Sequence, residues 1–326
     1  MSQEMELPQP RRLEGYELLP KHFPDGELLG PYAKILDALR DETIDYSEDE
    51  LRAIHWTMAI ENAFERSGFA ASMPGFQMTT YGFANPEVEQ PAFGVIVYTV
   101  PSDLEENASV YKRPRQPQPD THSPYAISVG DIRFPIFVRQ RKLELHSLGV
   151  NPRHGTAACW AKSKRPPLAS KTAVLTAKHI LRQPVLGQTI PFTTGSGRLI
   201  DVAPEGVDAA LVEVNQMPAT TTKRLRTRKL VAQWIDVDVH TQHSVFRTKV
   251  VEVNSSRGSL HYSLPLRIFL AHPANSGDSG SLVTTPGGVG IGMYMGSVTN
   301  PATGASEGFC QHLAQAASAL QVDLWL

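Results

Sequence analysis

From about residue 146 to 312 the chain breaks into short apolar, β-branched runs separated by turn residues. None of these runs is long enough, or spaced at the 3.6-residue period, to make a packed helix. Such a stretch can bury its side chains only by pairing strands into sheets, so this part is all-β. Gly (24) and Pro (25) supply the many turns that such a fold requires. A helix closes the chain, with Leu313, Ala316, Ala317 and Leu320 at helical spacing as its apolar face.

The first 145 or so residues have a different texture. Five prolines fall between residues 8 and 31, which reads as an arm lying on something else. Ser47-Glu48-Asp49-Glu50 is a capping box ahead of Ala53, Trp56, Ile60, Ala63 and Phe64, and Ser67-Gly68 offers a stop. The aromatic stripe is read as core packing, because a helix must bury one face. Residues 93–100 (FGVIVYTV) are a buried strand between two prolines, and 127–138 read as one or two strands. Residues 111–124 (YKRPRQPQPDTHSP) form a polar, proline-rich loop. The expected organisation is a small α/β domain over 1–145 and a β-rich domain over 146–326. The basic run 223–229 (KRLRTRK) lies between two β-rich halves and reads as a solvated linker, since no aromatic platform accompanies it.

Composition removes several function classes. Lys plus Arg is 31 against 33 Asp plus Glu, a net charge of −2, so nucleic acid is not an expected partner. Two cysteines, Cys159 and Cys310, make neither a disulfide framework nor a metal-binding pair. No apolar run approaches the length that spans a bilayer, and no apolar stretch follows a basic start at the N-terminus. A cytoplasmic setting without membrane, metal or cofactor is therefore expected.

Three segments carry chemistry. In 275–283 (NSGDSGSLV), Gly277 and Gly280 permit a tight turn that exposes the Ser279 hydroxyl and aims the amides of Gly277 and Ser279 at one point. Serine needs a base to take its proton. Of eleven histidines, His179 follows directly on the apolar run in VLTAKHIL. Between the two lies Asp208, opening the apolar VDAALV, where a half-buried carboxylate could hold an imidazole in one tautomer. Asp201 is the rival acid, set beside a Gly- and Pro-rich loop rather than before an apolar strand. A lipase or esterase fits poorly, because Gly-x-Ser-x-Gly fails at Ser281 and the order His, Asp, Ser is not that of the α/β-hydrolases.

LTAKHIL, VDAALV and SGDSGSLV together resemble the T-A-x-H, D-x-A-L and G-D-S-G motifs of the chymotrypsin-like (trypsin-fold) serine peptidases. The short His-to-Asp spacing is closer to compact bacterial, HtrA-like members. The resemblance covers residues from about 151 onward and implies a mainly β fold of two six-stranded antiparallel barrels with a C-terminal helix. It implies Ser279 as nucleophile, His179 as general base, Asp208 as its orienter and the Gly277 and Ser279 amides as oxyanion hole. Pro273, six residues before the serine, would set the pocket floor, with Ser276, Met293, Tyr294 and Met295 around it, favouring a small or apolar side chain, or a polar one if His272 or Ser276 decides. The implied function is a serine endopeptidase acting on protein or peptide through an acyl-enzyme. It would be latent and engage a regulatory partner through the N-terminal domain, for example in bacterial defence. The alternative is a catalytically silent trypsin-fold scaffold that binds peptides or assembles a complex. Departures are an Ala at residue 157 where the family has Gly, Lys178 beside the histidine, no Ile-Val-Gly-Gly-like start, and cysteines that do not match the family's disulfide.

Overall fold

The computed structural model describes residues 15–39, 46–84, 92–99, 125–140, 155–181, 183–193, 195–215, 223–255, 266–299 and 306–326. The expected domain boundary near 145 and the proline-rich loop 111–124 lie outside these residues.

Two short helices, α1 (Gly26–Leu29) and α2 (Tyr32–Ala38), precede the long α3 (Glu48–Ser67) and a further turn, α4 (Phe69–Ser72). α3 begins where the capping box places it. Ser47 Oγ accepts from the Glu50 amide and Glu50 Oε2 accepts from the Ser47 amide, so two orphan donors are satisfied reciprocally. Gly68 ends the helix in the left-handed conformation (φ 67°). The helix buries Ala53, Trp56, Ile60 and Phe64 on the face the sequence pattern indicates.

Sixteen strands follow among the described residues. β5 (Ala157–Ser163), β6 (Thr172–Thr176), β7 (Thr189–Phe192), β8 (Gly195–Val202), β9 (Ala210–Glu213) and β16 (Val322–Trp325) form one antiparallel sheet, in the order β16-β5-β6-β9-β8-β7. β10 (Asp236–His240), β11 (Val245–Val253), β12 (Arg267–Leu270), β13 (Leu282–Thr284), β14 (Gly290–Thr299) and β15 (Ser306–His312) form a second, in the order β10-β13-β14-β15-β12-β11. A pairing of β10 with β11 closes this second set on itself, which removes its edges. The helix α5 (Leu313–Leu320) packs on β14 and β15, and the chain then returns to the first sheet, where β16 pairs with β5. The molecule is thus mainly β, with two six-stranded antiparallel units and a late helix. The return strand has no local sequence signal: VDLW is only four residues, and its inward Val322 and Leu324 are covered only once β5 lies beside them.

The N-terminal strands continue the second unit. β1 (Phe76–Ala84), β2 (Ala92–Thr99), β3 (Tyr125–Val129) and β4 (Ile132–Gln140) run on in the order β1-β2-β4-β3, and β1 pairs with β11 at Tyr81↔Val253 and Gly82↔Glu252. Gly82 permits that approach, since a Cβ there would lie 2.1 Å from the Val251 carbonyl oxygen. A buried polar cluster sits at the joint. Arg139 Nη1 meets Glu252 Oε1 at 2.9 Å, and Thr80 Oγ1 and Tyr98 OH donate to Glu252 Oε2 at 2.7 and 2.6 Å. A buried charge is tolerable only when neutralised and hydrogen-bonded in this way. One apolar cluster joins α3 (Trp56, Ile60, Phe64) to the interior of the second unit (Val237, Val250, Ile268, Tyr294).

The basic run 223–229 is a strap rather than a solvated linker. Leu225 donates its amide to the Leu324 carbonyl, Gly290 donates to Arg226, and Arg228 donates to Gly290. Arg224 pairs with Asp323, while Arg228 pairs with Glu50 at 2.6 Å and stacks over Tyr46. The carboxylates that hold it are distant in sequence, so no local pattern reveals them.

Candidate active site

The candidate residues meet at the seam of the two units. His179 lies on a 3-10 turn (Lys178–Leu181) just after β6, and Asp208 lies on the loop before β9, the strand that pairs with β6. That pairing brings the two together. Asp208 Oδ1 accepts the His179 amide at 2.8 Å, and Oδ2 makes a short hydrogen bond with Nδ1. Asp208 is 7% exposed. Burial by itself raises its carboxyl, but the hydrogen bonds and charge of His179, with the charge of Arg267, hold it below the usual carboxylate range. The rival, Asp201, is engaged elsewhere, by Arg165 at 2.5 Å. Lys178 is also accounted for: its ammonium donates to the carbonyls of Ala203 and Pro204.

Ser279 stands on the turn between β12 and β13, 6% exposed. Asp278 closes the turn by accepting from the Asn275 amide at 3.0 Å and donating its own amide to the Asn275 carbonyl at 3.2 Å. Gly277 (φ 97°) and Gly280 (φ 98°) take backbone conformations that side chains avoid. At Gly280 a Cβ would also lie 1.9 Å from the Thr156 carbonyl oxygen. Thr156 ties the two units at this point. Its amide donates to the Ser279 carbonyl at 2.7 Å, and its carbonyl accepts from Thr176 Oγ1 at 2.8 Å, three residues before His179. Among the described residues the amides of Gly277 and Ser279 have no protein acceptor.

The hydroxyl of Ser279 donates to the Met295 carbonyl at 2.9 Å. His179 Nε2, the nitrogen that would receive its proton, is buried and without a hydrogen-bond partner. His179 and Asp208 are hydrogen-bonded to each other, while Ser279 and His179 are not.

No known family model and no curated protein matches the chain. Solved structures similar to it include a Nocardiopsis protease, NAPase, at 16% identity and TM-score 0.40, covering 52% of this chain and 92% of that one. Thermobifida fusca protease A gives 17% and 0.38, covering 52% and 89%. A glutamic-acid-specific serine protease gives 18% and 0.39, covering 52% and 92%.

The substrate-pocket residues divide. Pro273 and Ser276 lie on the loop that leads to Ser279, half-buried and exposed respectively. Met293, Tyr294 and Met295 are sealed in three different apolar clusters: alternation turns Tyr294 away from Met293, and the register of β14 shifts between Tyr294 and Gly296. Tyr294 OH also accepts the Ala274 amide at 2.9 Å. What β14 offers the site is main chain, the Met295 carbonyl. A pocket of about 930 Å³ opens on the side of the first unit, lined by Gly155, Thr156, Thr176, Ile180, Gln188 and Phe192 among others. Its residues come from four separate segments, which no local sequence pattern brings together. Cys159 and Cys310 are free and buried, and burial pushes the Cys159 thiol up to about 12, far from a reactive thiolate.

Proposed function

We propose that the chain is a serine endopeptidase. In this reading Ser279 attacks a peptide carbonyl while His179 takes its proton, and Asp208 holds the imidazole with Nε2 facing the serine. The amides of Gly277 and Ser279 receive the oxyanion of the tetrahedral intermediate. The proton on His179 then passes to the leaving amine, and water repeats the sequence on the acyl-enzyme. The observation that carries this reading is the Asp208–His179 pair, doubly bonded and left with an unpartnered Nε2 beside a turn whose two amides have no acceptor.

The resting form is latent. Ser279 is held by the Met295 carbonyl, and a rotation about its Cα–Cβ bond is needed to reach the base. A protein partner bearing on the N-terminal part is the proposed activator. Support comes from Tyr98 of β2, which stacks on Phe269 at 6.2 Å, and from Phe269, which packs in one cluster with Met295. The silent-scaffold reading draws on the same parked hydroxyl. Cleavage of casein by the purified chain, alone and with cell extract, separates the two. Wild type should cleave and Ser279→Ala should not, with equal thermal unfolding. A wild type no more active than Ser279→Ala under both conditions contradicts the enzyme reading.

A further inference from the structure

Asp208 is gripped from behind by residues that no catalytic motif includes. Arg267, on β12, donates through Nη2 to the Gly206 carbonyl at 3.2 Å and through Nη1 to Gln311 Oε1. That same oxygen accepts the Asp208 amide at 3.2 Å. Gln311 is fully buried, and its Nε2 donates to Gln315 Oε1 of α5 at 2.7 Å. The Arg267 amide in turn donates to Asn254 Oδ1 at 2.7 Å. The turn from Gly206 to Asp208 is therefore held at both ends by two side chains of the second unit, across the seam from His179.

We propose that Arg267 and Gln311 are positioning residues that fix the Asp208 carboxylate against His179, with Arg267 supplying the balancing positive charge. This rests on the serine-peptidase reading. Two functions combine in one bracket. Hydrogen bonds set where the carboxylate stands, and the guanidinium keeps a buried acid ionised without drawing on the imidazole alone. Asp208 is faced by His179 from the first unit and Arg267 from β12, and Arg267 is itself faced by Cys310 from β15. The Cys310 thiol is pushed up by burial and stays neutral, so Arg267 is the fixed cation of the group. Its charge acts on Asp208, and Asp208 acts on it in return. The bracket also makes the second unit responsible for the geometry of a pair carried by the first.

The test follows the rate at which a fluorophosphonate labels Ser279 as a function of pH, alongside thermal unfolding. Arg267→Met removes both fork and charge. Labelling at neutral pH should fall about tenfold or more, and the midpoint of the acid limb should rise by about one pH unit. One unit is the scale expected of a single nearby charge at protein-like screening. Arg267→Lys, which keeps the charge, should be slowed but hold the wild-type midpoint. Gln311→Leu should likewise slow labelling without moving it. Should Arg267→Met fail to fold, Arg267→Gln retains a donor for Gly206 and should show the same shift. A neutral variant that labels at the wild-type rate, or more slowly with an unmoved midpoint, overturns the bracket while leaving the peptidase reading intact. A wild type that takes no label at Ser279 either alone or with cell extract overturns both.

Discussion

His312 shows how one side chain can govern acid stability. It caps α5, its Nδ1 accepting the Gln315 amide, which leaves the proton of the neutral ring on a buried Nε2 without a partner. Burial pushes its pKa down to about 4, against an ordinary value of 6.5. A folded-state value below the unfolded one means that the unfolded chain binds the proton more readily between pH 4 and 6.5. The contribution is complete above 6.5 and is lost as pH falls toward 4, amounting to roughly 3 kcal/mol. His312→Asn keeps an acceptor for the cap and removes the titration. Its unfolding free energy should therefore vary less with pH across that window, as measured by urea titration at several pH values; an unchanged slope contradicts the assignment. Gly280 is the second residue-level constraint. Gly280→Ala places a Cβ against the Thr156 carbonyl at a φ that alanine avoids, so it should lower the thermal midpoint and abolish labelling of Ser279.

At the scale of elements, the joint between β1, β2, β4 and β11 concentrates the largest electrostatic stake. Glu252→Gln removes the carboxylate that is hydrogen-bonded to buried Arg139, while the charge of Glu307 still acts on it, and should cost roughly 3 kcal/mol, read as a lower urea midpoint. A shift under 1 kcal/mol would mean that the cluster is dispensable. Legibility also divides at this scale. The capping box of α3, the β texture after residue 146, and the strand-to-turn settings of His179, Asp208 and Ser279 are local patterns, and each could be read from its own neighbourhood. The joint, the strap at 223–229 and the Arg267 bracket depend on partners tens to hundreds of residues away, such as Glu50 for Arg228. Met295 shows the same limit in reverse. Its residue type points to a pocket wall, whereas its role at the site is played by a carbonyl that any residue could supply.

At the scale of the molecule, the N-terminal part and the second unit share one sheet and one apolar cluster. Removing residues 1–145 would uncover the face of Leu230, Ile235 and Val253 that these elements cover. The fragment 146–326 should therefore aggregate or lack a cooperative unfolding transition, as followed by size-exclusion chromatography and circular dichroism. A monodisperse, cooperatively folding fragment would contradict the shared core. It is this arrangement that lets strands outside the two six-stranded units pack toward Met295, and hence toward Ser279. The central claim is that Ser279 is a nucleophile activated by His179 and Asp208, and mass mapping of a fluorophosphonate adduct tests it most directly. Wild type should carry the adduct at Ser279 and nowhere else, His179→Ala should carry none on the same timescale, and Asp208→Asn should label about 10⁴-fold more slowly. Absence of the adduct from wild-type Ser279 both alone and with cell extract, or equal labelling in His179→Ala, would contradict it.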